Sequence, residues 1–225
     1  MTAITAITAQ NTVGVEAVEA VSPRVIVAQV RAVAEDIGVD AVKIGMLGTA
    51  ETVDAVVEAL SYVAEAPVVI DPVMVAESGA VLLDQGARMA LIERLLPLTA
   101  VATPNIPEAR VLTGLGEGAS QEELARAVVA LGPKAVVVTG GHSEELVDLF
   151  YDGEQVVEIP GERHPDGAAH GSGCTHSSAL AAYLACGEEP LEAARKAREI
   201  ASAAVGAGLR GIGKGPGPVN ALGLE

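Results

Sequence analysis

Short apolar runs rich in β-branched residues alternate along the chain with longer stretches in which apolar positions recur at helical spacing. TAITAIT (2–8), AVKIG (41–45), PVVID (67–71), LTAVAT (98–103) and KAVVVT (134–139) read as strands. LVDLFY (146–151) and QVVEI (155–159) read as two more, joined as a hairpin by Asp-Gly-Glu. The first five are almost unbroken in hydrophobicity, as expected of strands covered on both faces of a parallel sheet. Helical spacing covers 23–37, with Ser22 as N-cap and Pro23 at the first helical position. It also covers 49–65, 84–96, 173–186, 190–208 and 120–131, the last opened by a Ser120/Glu123 capping box. This alternation predicts an α/β fold, a doubly wound, mostly parallel sheet flanked by helices. No internal repeat, low-complexity segment or linker interrupts it, so a single domain over 1–225 is expected.

Composition narrows the picture. The 225 residues are 50% hydrophobic, enough for a substantial core. No apolar run approaches the ~20 residues that cross a bilayer, and MTAITAITAQNTVGV lacks a basic n-region, so a cytoplasmic protein is expected. A net charge of −16, from 30 acidic against 14 basic residues, argues against nucleic acid as a partner. The same excess reads either as an ordinary acidic surface or as adaptation to high salt. On one helix, Cys174 and Cys186 would stand about 18 Å apart, well beyond the ~7 Å reach of a disulfide. Free thiols are expected.

Ligands of such sheets bind beyond the carboxyl ends of the strands. There the sequence gathers AQNT (9–12), Met46-Leu47, DPVM (71–74), PNIPE (104–108) and GGH (140–142). Each alone is ordinary turn material; together they mark one edge of the sheet. HGSGCTHSS (170–178) has glycines and a serine ahead of an alanine-rich helix. Unpaired amides of Gly171, Ser172 and Gly173 at a positive helix end would make an anion site, which glycine lets a phosphate approach closely. No Walker spacing occurs, and GIGKGPG (211–217) does not supply it. A metal site on His170, Cys174 and His176 is disfavoured, because residues two apart on a helix point about 200° apart. A buried, inert thiol is the plain alternative for Cys174 and the preferred reading for Cys186.

TAITAQNTVGV, KIGML, DPVMVAESG, TPNIPEA, VTGGH and HGSGCT, in this order, closely resemble the hydroxymethylpyrimidine/phosphomethylpyrimidine kinases of thiamine biosynthesis, a ribokinase-like family. The resemblance runs over essentially the whole chain. It implies ATP-dependent phosphorylation of 4-amino-5-hydroxymethyl-2-methylpyrimidine and then of its monophosphate, in a cytoplasmic homodimer. It also implies roles. Gln10 would bond the aminopyrimidine edge, with Met46 and Val73 packed on the ring. Asp71 and Glu108, with Asn105, would hold Mg²⁺ near the triphosphate, and Thr139, Gly140 and Gly141 would lie by the nucleotide. Gly171, Ser172, Gly173 and Cys174 would surround the transferring phosphoryl group, with Cys174 as proton acceptor or positioning group. A helix N-terminus is expected to lower its thiol pKa.

The family opens with a strand, a glycine-rich loop and a helix before the segment matching MTAITAITAQNT. The resemblance therefore implies a start upstream of Met1 or a shortened form. Ala168 and Ala169 replace a usual polar pair, Glu77 and Thr139 stand where lysines are common, and His176 replaces an apolar residue. These departures fit a non-catalytic pyrimidine-binding or regulatory module as an alternative, and a pyridoxine or pyridoxal kinase is a third reading because that related branch shares the Asp-Pro-Val and Asn-x-x-Glu signatures. For the acidic surface, salt adaptation predicts a melting temperature that rises in molar KCl; a fall relative to low salt returns it to the ordinary class.

Overall fold

A computed structural model describes residues 1–75, 82–141, 146–165 and 167–224. The chain runs through β1 (Ala6–Gln10), β2 (Val15–Ala20), α1 (Pro23–Asp36), β3 (Val42–Ile44), α2 (Ala50–Leu60), β4 (Val68–Ile70), α3 (Gln85–Ala90) and β5 (Val101–Ala102). It continues through α4 (Ile106–Thr113), α5 (Gln121–Val129), β6 (Ala135–Val138), β7 (Asp148–Tyr151), β8 (Val156–Ile159), α6 (Ser172–Ala185) and α7 (Pro190–Gly206). One six-stranded sheet has the order β3-β4-β5-β6-β7-β8, with β3 to β6 parallel and β7 and β8 antiparallel.

Alternation along the parallel strands divides the core into two layers. Ile44, Ile70, Ala102, Val136 and Val138 pack in a cluster with residues of α1 to α5, such as Ile26, Val53 and Leu124. Val69, Val101, Ala135 and Val137 pack on the other face against Leu180, Ala193 and Ala197 of α6 and α7. A strand presents successive side chains to opposite faces, so two covered faces demand the unbroken apolar runs seen in the sequence. The doubly wound α/β architecture is as expected, and among the described residues no helix is long and apolar enough to cross a membrane.

Several elements depart from the sequence reading. The segment 2–8 is not a strand of the parallel sheet. Its ordered part, β1, pairs antiparallel with β2 in a separate two-stranded sheet, through a turn in which Asn11 Oδ1 accepts from Val13 and Gly14. Ala6 and Thr8 are half-buried on one face of β1, while Ala9 and Ile7, 63% accessible, are exposed on the other. The 84–96 helix breaks into α3, a π-helical turn at Leu91–Leu95 and a 3₁₀ turn at Leu96–Leu98, where Pro97 has no amide to continue the ladder. Strand 98–103 shrinks to β5. PNIPE is not a loop: Asn105 caps α4 with Pro107 in its first turn. Glu77 and His142 lie outside the described residues.

His176, on the buried face of α6, is 4% exposed, and neither ring nitrogen has a hydrogen-bond partner. Burial pushes its pKa down to about 4, with the Arg198 guanidinium adding to the effect. Because the folded state holds this imidazole neutral, its contribution is intact above the ordinary histidine value near 6.5 and is lost as pH falls from there towards 4. His176→Leu removes both that penalty and an unsatisfied polar group. It is expected to stabilise the fold by roughly 1–2 kcal/mol at neutral pH and by more at pH 5, which thermal melts at the two pH values measure.

Candidate active site

Parallel strands deliver Asp71, Thr103 and Thr139 to one edge of the sheet, each just past the end of its strand. Asp71 is 6% exposed, and its amide donates to Ile44 O across the edge. Its Oδ2 accepts from Ser177 Oγ at 3.1 Å and faces Lys43 Nζ at 3.6 Å. Burial pushes the Asp71 carboxyl above its ordinary value, while Lys43 and Ser177 pull it back. Ser177 lies one turn into α6, so this contact seats the helix N-terminus over the end of β4. A Cβ added to Gly173 would stand 4.0 Å from Asp71 Oδ2, which places the helix opening beside the carboxylate.

Lys43 carried no role in the sequence reading. It sits inside an apolar strand, where alternation cannot say which neighbour its ammonium meets. The parallel register of β3 on β4 aligns Lys43 with Val69 and brings Asp71 within reach. A Cβ on Gly45 would stand 2.8 Å from Lys43 Nζ, so the glycine gives the ammonium its room.

Asn105 and Glu108 form a capping box on α4: Asn105 Oδ1 accepts from Glu108 N at 2.8 Å, and Glu108 Oε2 accepts from Asn105 N at 3.0 Å. The cap alone accounts for both residue types locally. Yet burial pushes Glu108 up to about 7, and the nearby Asp71 charge adds to the rise. Asp71 and Glu108 are therefore two desolvated carboxylates, with Glu108 feeling the Asp71 charge, a pair whose ionised form a divalent cation would favour. Among the described residues no group of three or more His, Cys, Asp or Glu gathers to hold a metal. Oxygen donors from two carboxylates suit Mg²⁺, which keeps waters and takes its remaining ligands from phosphate. Thr139 joins this edge by donating its amide to Pro104 O at 2.9 Å, and Gly140 donates to Asp148 Oδ1 at 2.9 Å.

The HGSGC turn is less open than the sequence suggests. Gly171 caps α6 in the left-handed region at φ 88, which glycine takes without strain. Ser172 N–H is already spent on Ala169 O, and Thr175 N–H bonds Gly171 O. Gly173 and Cys174 retain amides with no acceptor among the described residues. Cys174 is exposed and borders a cavity of about 420 Å³ shared with Thr175, Ser178, Ile200 and Ala221. Its thiol departs from expectation. Burial of the sulfur raises its pKa, Lys43 opposes that, and the Asp71 and Glu108 charges reinforce it. Desolvation of the sulfur is the largest cause, although the residue as a whole is exposed. Both cysteines are free, and Cys186 is exposed rather than buried because it terminates α6.

The structure does not bring Gln10 against these groups; it ends β1 and is exposed. The hairpin is nevertheless tied down on both sides. Thr5 Oγ1 donates to Met46 O at 2.8 Å, and Thr12 Oγ1 accepts from Lys214 N at 3.1 Å and Gly215 N at 3.3 Å. The segment carrying Gly215 pairs at Pro218 with His170. The hairpin thus spans from the end of β3 to the turn before α6. Met46 and Val73 are both half-buried past the ends of β3 and β4.

Parallel strands ending at paired carboxylates under a glycine-opened helix, beside an antiparallel hairpin, define the class of ribokinase-like small-molecule kinases. The family model described as phosphomethylpyrimidine kinase matches residues 1–220. A hydroxymethylpyrimidine/phosphomethylpyrimidine kinase of Rhizobium meliloti is 48% identical over 96% of this chain and 84% of its own length. The crystal structure of a Clostridium difficile phosphomethylpyrimidine kinase superimposes with a TM-score of 0.76 at 40% identity, covering 88% of this chain and 83% of the other. An ADP complex of Bacillus subtilis pyridoxal kinase gives 0.88 at 36% identity, covering 100% and 88%. The chain belongs to the phosphomethylpyrimidine kinase family, and it is a phosphotransferase.

Desolvation of the sulfur and the charges around it set the reactivity of Cys174. At pH 8 iodoacetamide should label Cys174 more slowly than its free-thiol exposure alone suggests, and Lys43→Met should slow it further by removing the one cation that favours the thiolate. Rates of labelling against pH, resolved by peptide mass spectrometry, check this; a faster Cys174 in the variant contradicts it.

Proposed function

We propose that this protein transfers the γ-phosphoryl group of ATP to the hydroxyl of 4-amino-5-hydroxymethyl-2-methylpyrimidine, and then a second phosphoryl group to the monophosphate, for thiamine biosynthesis. The observation that carries the reading is the meeting of Asp71, Glu108 and Lys43 with the uncommitted Gly173 and Cys174 amides at one end of the sheet. Phosphoryl transfer has a loose transition state that asks mainly for positioning and for neutralisation of the equatorial oxygens. The two amides and the α6 dipole would face those oxygens, with Lys43 near enough to share the charge. Asp71 and Glu108 would hold Mg²⁺, which supplies charge neutralisation at the phosphates when bound.

Little of the alcohol's proton need move early in such a transition state, so a thiol with a raised pKa is a poor base and a better hydrogen-bonding group. This favours the positioning role for Cys174. Gln10, on the strand that spans the site, would reach the aminopyrimidine edge, and Met46 and Val73 would flank its ring. Thr139, Gly140, Gly141 and Asn105 would lie on the nucleotide side; the ADP complex of the pyridoxal kinase relative supports ATP as co-substrate. Cytoplasmic location and a homodimer complete the reading, and exposed Ile7, Val13 and Val18 give a second copy apolar surface to cover.

Pyridoxal phosphorylation is the second reading, favoured by the TM-score of 0.88 to the pyridoxal kinase relative. Incubation with ATP, Mg²⁺ and the aminopyrimidine alcohol should give ADP and a mono- then a diphosphate. Faster turnover of pyridoxal selects the second reading, and binding of the alcohol without turnover selects a non-catalytic module. Cys174→Ala should lower kcat by about tenfold or more; wild-type turnover would return Cys174 to the inert class.

A further inference from the structure

One buried ion pair has been given no part in the reaction so far. Asp148, at the start of β7, is fully buried, and Arg198, in the middle of α7, keeps only 16% of its side chain accessible. Arg198 Nη1 faces Asp148 Oδ2 at 3.5 Å. The other functions of the two side chains point one way. Asp148 Oδ1 accepts the Gly140 amide at 2.9 Å, and Arg198 Nη2 donates to Leu146 O at 2.8 Å. Leu146 has φ 49, the only non-glycine in the left-handed region among the described residues. The pair therefore grips the backbone at both ends of the 140–146 segment. Gln121 adds a third tie, donating to Val138 O at 2.8 Å and Val147 O at 3.0 Å.

The guanidinium reaches this position only because residue 161 is glycine. A Cβ there would stand 1.8 Å from Arg198 Nη2 and 2.5 Å from Cζ. An ion pair buried this deeply is weak support for stability, since apolar replacements of equal volume do as well or better. What it supplies that apolar contacts do not is direction, through hydrogen bonds to chosen backbone atoms. The backbone it directs leads into Gly141, which is exposed and where an added Cβ would meet nothing within 4 Å among the described residues.

We propose that Arg198 and Asp148 are positioning residues for the nucleotide side of the site: they hold the Thr139–Gly141 backbone in the place where it meets ATP, with no contact of their own to the reacting atoms. This rests on the reading of that segment as the nucleotide side.

Calorimetric binding of ADP, together with KM for ATP and for the alcohol, tests it, all measured well below each protein's melting temperature. Arg198→Met should weaken ADP binding and raise KM for ATP by about tenfold while leaving KM for the alcohol within about twofold. Gly161→Ala, which displaces the guanidinium without removing a charge, should reproduce the split in milder form, and Arg198→Lys should fall between wild type and Arg198→Met. Arg195→Met, which breaks an exposed pair with Glu192 on the same helix, should change none of these values. ADP binding unchanged in both Arg198→Met and Gly161→Ala, or the two KM values rising together, overturns the proposal. A wild-type protein that binds no ADP would instead remove the functional reading beneath it.

Discussion

Burial of the Asp71 carboxylate at the end of β4 is the constraint from which the rest of the site follows. An ionised acid taken out of water costs several kcal/mol unless its lone pairs and charge are met. Here they are met from two directions, by Lys43 on the neighbouring strand and by Ser177 on α6. The second contact ties a helix to a strand 106 residues earlier in the chain and fixes how the helix opening addresses the sheet. Gly173 leaves the approach between them clear, and its amide and that of Cys174 have no acceptor among the described residues. Burial raises the Asp71 pKa, and burial with the Asp71 charge raises that of Glu108. The pair is thus less fully ionised alone than it would be beside a cation. That is the electrostatic condition of a site built to receive one along with phosphate.

A protein of net charge −16 has to attract a polyanion against its own field. Local geometry resolves this. Helix-end dipoles and one half-buried ammonium act at short range in a poorly solvated place, whereas the surface carboxylates are screened by salt. Lys43 assumes particular weight because Thr139 and Glu77 supply no cation where the family commonly has one. Its charge is held in place by packing against Gly45 and Asp71, so it arrives already oriented.

Much of this was legible in the chain. The strands of the parallel sheet, the Pro23 helix start, the Ser120/Glu123 box and the helix after HGSGC all follow from period and capping chemistry, which act within a few residues. The PNIPE helix was missed because its cap residues also read as strand-end turn material, and two prolines argue against a helix until one sees them in and before its first turn. The TAITAIT run was assigned to the wrong sheet because β propensity says that a segment extends, not what it pairs with. Cys186 and Cys174 were both misjudged, the first on burial and the second on its thiol. Exposure and charge environment are sums over distant neighbours.

By itself the sequence determined the fold class, the set of loops at one edge of the sheet, and the family, since each is written in local periodicity or in short ordered motifs. Only the tertiary structure decided that Ser172 spends its amide within the turn, that Lys43 meets Asp71, and that Arg198 crosses Gly161 to reach Asp148. Those contacts join residues 28 to 50 positions apart or bend the chain back on itself, and their partners are chosen by how the sheet and helices pack. No spacing along the chain encodes that choice, because the free energy of each contact depends on groups that the chain brings together only when folded.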